Sequence, residues 1–207
     1  IGMRSTIRNL KHKFKAEDVK VCLTGGNNYR EEVAVSRPYK GTRKKEKPHW
    51  FYKLREILVK HFDAELREEE EADDWLSYTG LLDPDNTVVV TVDKDAKNSE
   101  GWYYNPRTER LVHVDKETAN YNFWMQMLVG DKVDHIAGLP YYGESKAKDL
   151  LKKGMSYHEL ECIVGLHYAM NKHVADPETY MTEQGILLWM RREPNQMWEI
   201  GMYGGED

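Results

Sequence analysis

The chain has little of what disulfide-bonded or membrane-spanning proteins require. Only two of its 207 residues are cysteine, Cys22 and Cys162, and they lie far apart without a CxxC spacing. A disulfide framework and a zinc ribbon are therefore both unexpected. No apolar run approaches the ~18 residues of a membrane-spanning helix, and GILLWM, which begins at Gly185, is among the longest. We predict reduced thiols in a cytoplasmic protein with no membrane partner.

Histidine also gives no sign of a metal site, since the eight histidines are scattered and none has partners at metal spacing. Charge is more informative, because the net value of −5 conceals a segregation. Acidic residues cluster in segments 67–74, 91–95 and 130–134, and basic residues in segments 36–48 and 146–153. A protein that holds metal ions on carboxylates and DNA phosphates on lysines has this pattern, and so do many proteins with mixed surfaces.

The order of elements predicts an α/β domain with a parallel sheet. Apolar spacing predicts helices over 3–14, 49–62 and 72–82, and strands over 19–26, 64–71 and 87–93. Residues 31–35 (EEVAV) are expected to form an edge segment or a turn, and residues 102–114 a hairpin. We interpret 1–207 as one domain, with an α/β part over 1–118 and a helical part over 119–207.

Three acidic clusters lie at predicted ends of elements. At spacing two on a strand, Asp93 and Asp95 point to the same side, and Asp131 and Asp134 share a face if they lie one helical turn apart. Ligands gather at the carboxyl ends of parallel strands, where the first two clusters are expected. The clusters comprise Glu71, Asp73 and Asp74, then Asp93 and Asp95, then Asp131 and Asp134.

Seven carboxylates in one place would repel one another and raise their pKa values unless cations neutralised them. Hard oxygen ligands in this number suit Mg²⁺ or Mn²⁺, and a pair of such ions serves in-line phosphodiester cleavage. Taken singly, each cluster also fits a solvated helix start or a helix N-terminal cap.

Four motifs together resemble those of the flap-endonuclease-type 5′-nucleases. This family includes the 5′–3′ exonuclease domain of bacterial DNA polymerase I and free-standing bacteriophage 5′-exonucleases. The motifs are YKGTR (39–43), EADD (71–74), TVDKD (91–95) and GDKVDHIAGLPYYGESKA (130–147). The resemblance implies a PIN-like α/β core with a parallel sheet, a helical arch and a C-terminal helix-three-turn-helix subdomain.

The resemblance also implies roles for individual residues. Glu71, Asp73 and Asp74 would bind one Mg²⁺ or Mn²⁺ ion, Asp93 would be shared, and Asp95, Asp131 and Asp134 would bind a second ion. Lys40 and Arg43 would steer the scissile phosphate toward these metals, because a nearby cation offsets the charge that develops in the transition state.

The stretch IAGLPYYG and the lysines after it are similar to the family's duplex clamp. Gly138 and Gly143 would allow close approach of the DNA backbone, while Lys146 and Lys148 reach phosphates without reading bases. Leu139 and Tyr141 complete the predicted DNA-binding set, and a K⁺ ion would lie between the turn and a phosphate. Three aromatic residues are weaker candidates for stacking on a base: Tyr29, Tyr39 and Trp50.

The implied activity is a 5′–3′ exonuclease and flap endonuclease acting as a monomer on duplex DNA with a 5′ flap or end, and on RNA–DNA hybrids. The family opens with a strand that carries a metal-binding aspartate, which has no counterpart before Ile1, and Gly25 stands where many relatives have an acid. We therefore expect a further N-terminal segment, in the same chain or in a separate polypeptide. The alternatives are a non-catalytic DNA-binding fragment and a PIN-type ribonuclease, which usually lacks the clamp.

Overall fold

The computed structural model describes residues 2–43 and 46–203, without the side chain of Asp95. The strands are β1 (Cys22–Asn28), β2 (Glu65–Glu69), β3 (Val88–Val90), β4 (Gly101–Asn105) and β5 (Arg110–Val114). The α-helices are α1 (Gly2–Phe14), α2 (Tyr29–Val33), α3 (Phe51–Phe62), α4 (Ala72–Leu81), α5 (Lys116–Val129), α6 (Glu144–Leu150), α7 (Tyr157–Ala169) and α8 (Pro177–Leu188). A short 3-10 helix covers Asp95–Asn98. The mixed α/β class is confirmed.

The strands form two sheets among the described residues rather than the single parallel sheet expected. Strands β1 and β2 pair in parallel, and β3 pairs in parallel with β4. Strand β5 returns antiparallel to β4, as the predicted hairpin requires. Helix α4 packs against both sheets: the backbone N–H of Ala72 donates to Thr24 Oγ1 at 3.0 Å, and a Cβ on Gly80 would lie 3.1 Å from Val89 Cγ2. The first turn of α4 is therefore fixed beside β1 at Thr24.

The main core lies in the helical half of the chain. Helices α5, α7 and α8 enclose three tryptophans, Trp124, Trp189 and Trp198, none more than 1% exposed. Helix α8 passes close to Trp198, because a Cβ on Gly185 would lie 1.9 Å from Trp198 Cε3. A separate small cluster around Val89 and Tyr103 covers one face of the β3–β4–β5 sheet. Val33, Ala34 and Tyr39 of the α/β part pack against the main core.

The prediction for EEVAV is wrong, because Tyr29–Val33 is the helix α2. The Asn28 side chain accepts a hydrogen bond from the Arg30 backbone N–H at 3.0 Å, and Glu31 and Glu32 lie in the first turn. An amide cap followed by acids favours a helix start. Helices α1 and α3, which lie wholly within the described residues, have no buried residue, so both are held at the surface.

No helix in the described parts of the chain is long and apolar enough to cross a membrane.

Candidate functional site

A small cleft of about 30 Å³ lies where the α/β and helical parts meet. Its walls are the first turn of α4, the segment after β3, the turn after α5 and the C-terminal end of α8. The lining residues are Arg30, Tyr39, Lys40, Glu71, Asp73, Asp93, Gln126, Asp131, Asp134, Ile136, Leu187, Leu188 and Met190. Five of the seven predicted metal ligands therefore line one cleft.

The start of α4 places two of these carboxylates. Glu71 is the N-cap residue with extended backbone angles, and Asp73 and Asp74 occupy the first turn, where the helix dipole favours negative charge. Glu71 and Asp73 line the cleft, whereas Asp74 is 0% exposed and is held by Arg30.

Among the cleft carboxyls, Asp73 has the most clearly raised pKa. Burial raises its pKa to about 7, and the neighbouring carboxylates of Asp93, Glu71 and Asp74 act in the same direction. Lys40 lowers the pKa but does not balance these effects. The Asp73 side of the cleft is therefore short of positive charge, as expected where a cation is to bind.

Glu71 and Asp134 are joined by side chains from segment 38–43. The Tyr39 hydroxyl lies 2.7 Å from Glu71 Oε2 and 2.9 Å from Asp134 Oδ2, so it is within hydrogen-bond distance of both carboxylates. Lys40 Nζ contacts Glu71 closely and lies 3.7 Å from Asp134 Oδ2, and Arg43 pairs with Asp134 Oδ1. Lys40 and Arg43 thus lie beside two of the predicted metal ligands, and their steering role stays a prediction.

Asp131 and Asp134 do not share a helical face as expected, because residues 131–136 form a tight turn. Asp131 and Ile136 exchange backbone hydrogen bonds across it, and Asp131 Oδ1 accepts from the N–H groups of Val133 and Asp134. Burial acts to raise the pKa of Asp131, but Lys94 and these N–H donors outweigh it and the pKa is lowered. The turn brings both carboxylates to the cleft although helix geometry does not.

The strand geometry predicted for Asp93 and Asp95 is also wrong. Strand β3 ends at Val90, and Asp93 lies in the bend beyond it, where its N–H donates to Thr91 Oγ1 at 3.0 Å. Asp95 begins the 3-10 helix, and its side chain lies outside the described residues. Asp93 reaches the cleft from a loop rather than from a strand.

Within the described part of the chain, no three histidine, cysteine, aspartate or glutamate side chains are arranged to hold a metal ion. The carboxylates instead pair with cations: Glu71 with Lys40, Asp134 with Arg43, and Asp131 with Lys94 at 2.6 Å. The donor set itself, carboxylate oxygens on converging segments, fits a hard divalent ion. These residues would suit Mg²⁺ or Mn²⁺ once the resident cations moved aside.

Two of the predicted DNA-binding residues face the protein interior. Gly138 donates its N–H to Gln184 Oε1 and accepts from the Tyr180 hydroxyl, both at 2.9 Å. Its φ of +64° and a Cβ position 2.3 Å from Gly130 N require glycine here. Leu139 is buried in the main core. These two residues shape the turn that leads to the surface ones.

The remaining four predicted DNA-binding residues are exposed: Tyr141, Gly143, Lys146 and Lys148. Tyr141 has a φ of +67°, and its ring lies 4.5 Å from that of His173. Lys146 Nζ lies 3.5 Å above the ring of Tyr142, and Lys148 pairs with Glu144 at 2.9 Å. Both lysines therefore lie on α6, directly after the turn that contains Gly138 and Leu139.

Of the three aromatic stacking candidates, only Trp50 is strongly exposed, at 64%. Tyr29 is largely buried between the guanidinium groups of Arg30 and Arg191, 4.7 and 4.1 Å from its ring centroid. The Tyr39 hydroxyl contacts Glu71 and Asp134. Trp50 is therefore the most accessible of the three for stacking on a base.

Arg30 and Lys94 are the site residues that sequence reasoning missed. Arg30 lies in the helix that was not foreseen, and the Asn28 cap with Glu31 and Glu32 was the signal that could have revealed it. Lys94 lies between two predicted ligands, but nothing in its spacing indicates that it pairs with Asp131.

No protein-family model matches the chain, and no curated protein matches it by sequence. Solved structures do match: a bacteriophage T5 protein co-crystallised with metal ions has a TM-score of 0.58 at 19% identity, over 89% of this chain and 84% of that one. The chain has the fold of the T5 5′-exonuclease.

Two further T5 structures support this fold. The T5 flap endonuclease in a pseudo-enzyme–product complex with DNA and metal ions has a TM-score of 0.57 at 19% identity, over 89% of this chain and 82% of that one. The zinc-bound T5 5′-exonuclease has a TM-score of 0.54 at 16% identity, over 90% and 89%. The resemblance to the flap-endonuclease-type 5′-nucleases is thus confirmed at the level of the fold.

Proposed function

We propose that the chain is a Mg²⁺- or Mn²⁺-dependent 5′–3′ exonuclease and flap endonuclease that hydrolyses phosphodiesters of DNA and of RNA primers in hybrids. The observation that carries this proposal is the meeting of Glu71, Asp73, Asp93, Asp131 and Asp134 in one cleft, although they come from distant segments. Keeping them together costs free energy, as the raised pKa of Asp73 reflects, and a bound cation would offset that cost. The T5 5′-exonuclease fold supports the same reaction class.

The five cleft carboxylates, with Asp95 by resemblance, would hold two divalent ions. Such ions lower the pKa of bound water and offset charge on the transferring phosphoryl group. The protein's part is to fix the ligands: the Tyr39 hydroxyl spans Glu71 and Asp134, and backbone N–H groups orient Asp131.

Lys40 and Arg43 would exchange partners when substrate binds. Their side chains are 23% and 48% exposed, and each pairs with a carboxylate that we assign to metal binding. Once ions occupy those carboxylates, the two cations are free to contact the scissile phosphate. Charge-assisted contacts of this kind position the phosphate and stabilise the charge that develops on it.

Duplex DNA would bind along the exposed surface formed by Tyr141, Gly143, Lys146 and Lys148. The lysines would contact phosphates, so binding should depend on DNA structure rather than sequence and weaken steeply with salt. The helix-three-turn-helix assignment and its K⁺ ion stay predictions. Lys146→Gln should reduce the salt slope of binding by about one, while Arg107→Gln, an exposed arginine in the turn between β4 and β5, serves as the control.

One experiment separates the activities: 5′-labelled flap DNA, RNA–DNA hybrid and single-stranded RNA are incubated with Mg²⁺ or Mn²⁺ while DNA binding is measured in parallel. We expect cleavage of the flap and the hybrid, loss of cleavage with EDTA, and a loss of several orders of magnitude in Asp73→Asn with DNA binding retained. Cleavage that persisted in EDTA and in Asp73→Asn would contradict the metal assignment.

The same experiment tests the alternatives. DNA binding without cleavage under either ion would indicate a non-catalytic DNA-binding fragment. Preferential cleavage of single-stranded RNA would indicate a PIN-type ribonuclease, which the exposed clamp-like turn and α6 lysines disfavour.

A further inference from the structure

Arg30 is the most completely enclosed cation in the cleft. Its side chain is 3% exposed, and its NH1 and NH2 groups lie 2.5 and 2.8 Å from the two carboxylate oxygens of Asp74. It also donates to two backbone carbonyls at the end of α8, at 3.1 Å to Leu187 and 2.6 Å to Trp189. Arginine is suited to this place, because its planar fork satisfies several acceptors at once.

Asp74 is equally enclosed. Its side chain is 0% exposed, both oxygens accept from Arg30, and Oδ1 also lies 3.3 Å from the Arg191 backbone N–H. Breaking a buried pair of this kind strands a charge away from water, which is far more costly than breaking a surface pair.

The other cation–carboxylate pairs of the cleft differ from this one in accessibility. The side chains of Lys40, Arg43 and Lys94 are 23%, 48% and 63% exposed, so they can move into solvent when a metal ion takes their place. The Arg30 guanidinium cannot leave Asp74 without also leaving the carbonyls of Leu187 and Trp189. Of the predicted ligands described with side chains, Asp74 is thus the one least available to a metal ion.

Arg30 connects three parts of the chain at the edge of the site. It lies on α2, holds Asp74 on α4, and binds the carbonyls that end α8. Its NH1 also lies 3.5 Å from Glu71 Oε2. Because Glu71 and Asp73 lie within three residues of Asp74 on the same helical turn, fixing Asp74 fixes the direction in which both carboxylates point.

We propose that Arg30 is a positioning residue that aims Glu71 and Asp73 at the metal ions through Asp74, and that Asp74 is its structural partner rather than a metal ligand. This inference rests on the proposed nuclease function. The acids of the EADD motif then have different roles. Glu71 and Asp73 hold metal, whereas Asp74, through Arg30, anchors the first turn of α4 to the end of α8.

The first test compares Asp74→Asn with Asp73→Asn by calorimetric titration with Mn²⁺ in the absence of DNA. Asp73→Asn should weaken Mn²⁺ binding more than about tenfold. Asp74→Asn keeps the shape of the side chain and one acceptor oxygen for Arg30, so the turn stays in place; it should change Mn²⁺ binding by less than about threefold, while loss of the buried charge pair lowers the midpoint of urea unfolding. A folded Asp74→Asn protein that lost as much Mn²⁺ affinity as Asp73→Asn would overturn the assignment. Failure of the unaltered chain to bind Mn²⁺ would overturn the nuclease proposal itself.

The second test addresses Arg30 while avoiding a stranded charge. The double variant Arg30→Met/Asp74→Leu replaces the buried pair by apolar groups of similar volume, which proteins often tolerate. We expect a folded protein whose kcat on flap DNA falls about 10–100-fold, with the KM for DNA little changed and Mn²⁺ binding weakened. The single variant Arg30→Lys, which keeps a cation beside Asp74, should have a higher kcat than the double variant. A folded double variant with the kcat and Mn²⁺ affinity of the unaltered chain would show that Arg30 positions nothing.

Discussion

Binding of a divalent ion should release a proton from Asp73 when the pH is below neutrality. Burial and the neighbouring carboxylates of Asp93, Glu71 and Asp74 raise the pKa of Asp73 from 3.8 to about 7 in the metal-free protein. A metal ligand must be deprotonated, so below pH 7 the ion has to displace that proton.

The size of the effect follows from this pKa. At pH 6 about nine in ten Asp73 carboxyls are protonated and at pH 8 about one in ten, so Mn²⁺ affinity should be about tenfold weaker at pH 6 than at pH 8. Asp73 should likewise release about 0.9 proton per protein at pH 6 and about 0.1 at pH 8.

Calorimetry in two buffers of different ionisation enthalpy measures both the affinity and the number of protons released. Asp73→Asn is the matched control, because it keeps the shape of the side chain but has no proton to lose in this range. Equal Mn²⁺ affinity and no proton release at pH 6 and pH 8 in the unaltered chain would refute this account of the site.

The same pKa has a consequence for stability. The folded-state pKa lies above the unfolded value of 3.8, so Asp73 favours the folded state when protonated and opposes it when ionised. Its contribution is therefore lost as the pH rises from about 4 through about 7, by about 4 kcal/mol at most, at 1.36 kcal/mol per pH unit. Asp73→Asn should consequently stabilise the metal-free protein at pH 8, measured by urea unfolding, and an unchanged midpoint would contradict the pKa assignment.

Three further predictions concern other parts of the structure. Lys40→Met removes the cation that competes for Glu71, so Mn²⁺ should bind more tightly by calorimetry while flap cleavage slows; weaker Mn²⁺ binding would refute the competition. Gly185→Ala forces a methyl group against Trp198 and should cost about 1–3 kcal/mol in urea unfolding. In the control Gly165→Ala, the nearest neighbour is Met181 Cε at 3.9 Å, so stability should rise or stay the same. Ser156→Ala removes the capping box of α7 and should lower the free energy of unfolding by about 1 kcal/mol, measured in urea. Glu159→Ala should lower it by less, because the Ser156 side chain still caps the helix.

The spacing of apolar residues correctly predicted elements that depend only on nearby residues, such as α3 and the β4–β5 hairpin. Helix α3 has its apolar residues at Phe51, Leu54, Leu58 and Phe62, and the hairpin of β4 and β5 has turn residues between two apolar runs, so both were found from the sequence. The arrangement of the strands into two sheets was not found, because pairing between distant strands depends on tertiary contacts that no local pattern records.

The carboxylates of the candidate site were predicted from composition rather than from geometry. Acidic residues at the ends of predicted elements led to the carboxylates that line the cleft, although the assumed strand and helix spacings were wrong for Asp93 and for Asp131 with Asp134. Those acids reach the cleft from a bend and a turn, whose course is set by side-chain and backbone hydrogen bonds. The difference between Asp73 and Asp74, adjacent in sequence, depends on Arg30 more than 40 residues away and could be seen only in the structure.

Segment 38–43 and the turn over 131–136 are joined by their backbones as well as by their side chains. The Lys40 N–H donates to the Asp134 carbonyl at 2.9 Å, and His135 Nδ1 lies 3.0 Å from the Pro38 carbonyl. A displacement of segment 38–43 would therefore be expected to move the turn that holds Asp131 and Asp134. If the chain acts on DNA as we propose, a DNA strand that contacts Lys40 or Arg43 would therefore also shift the turn that carries Asp131 and Asp134, and substrate binding would be coupled to the geometry of these two carboxylates.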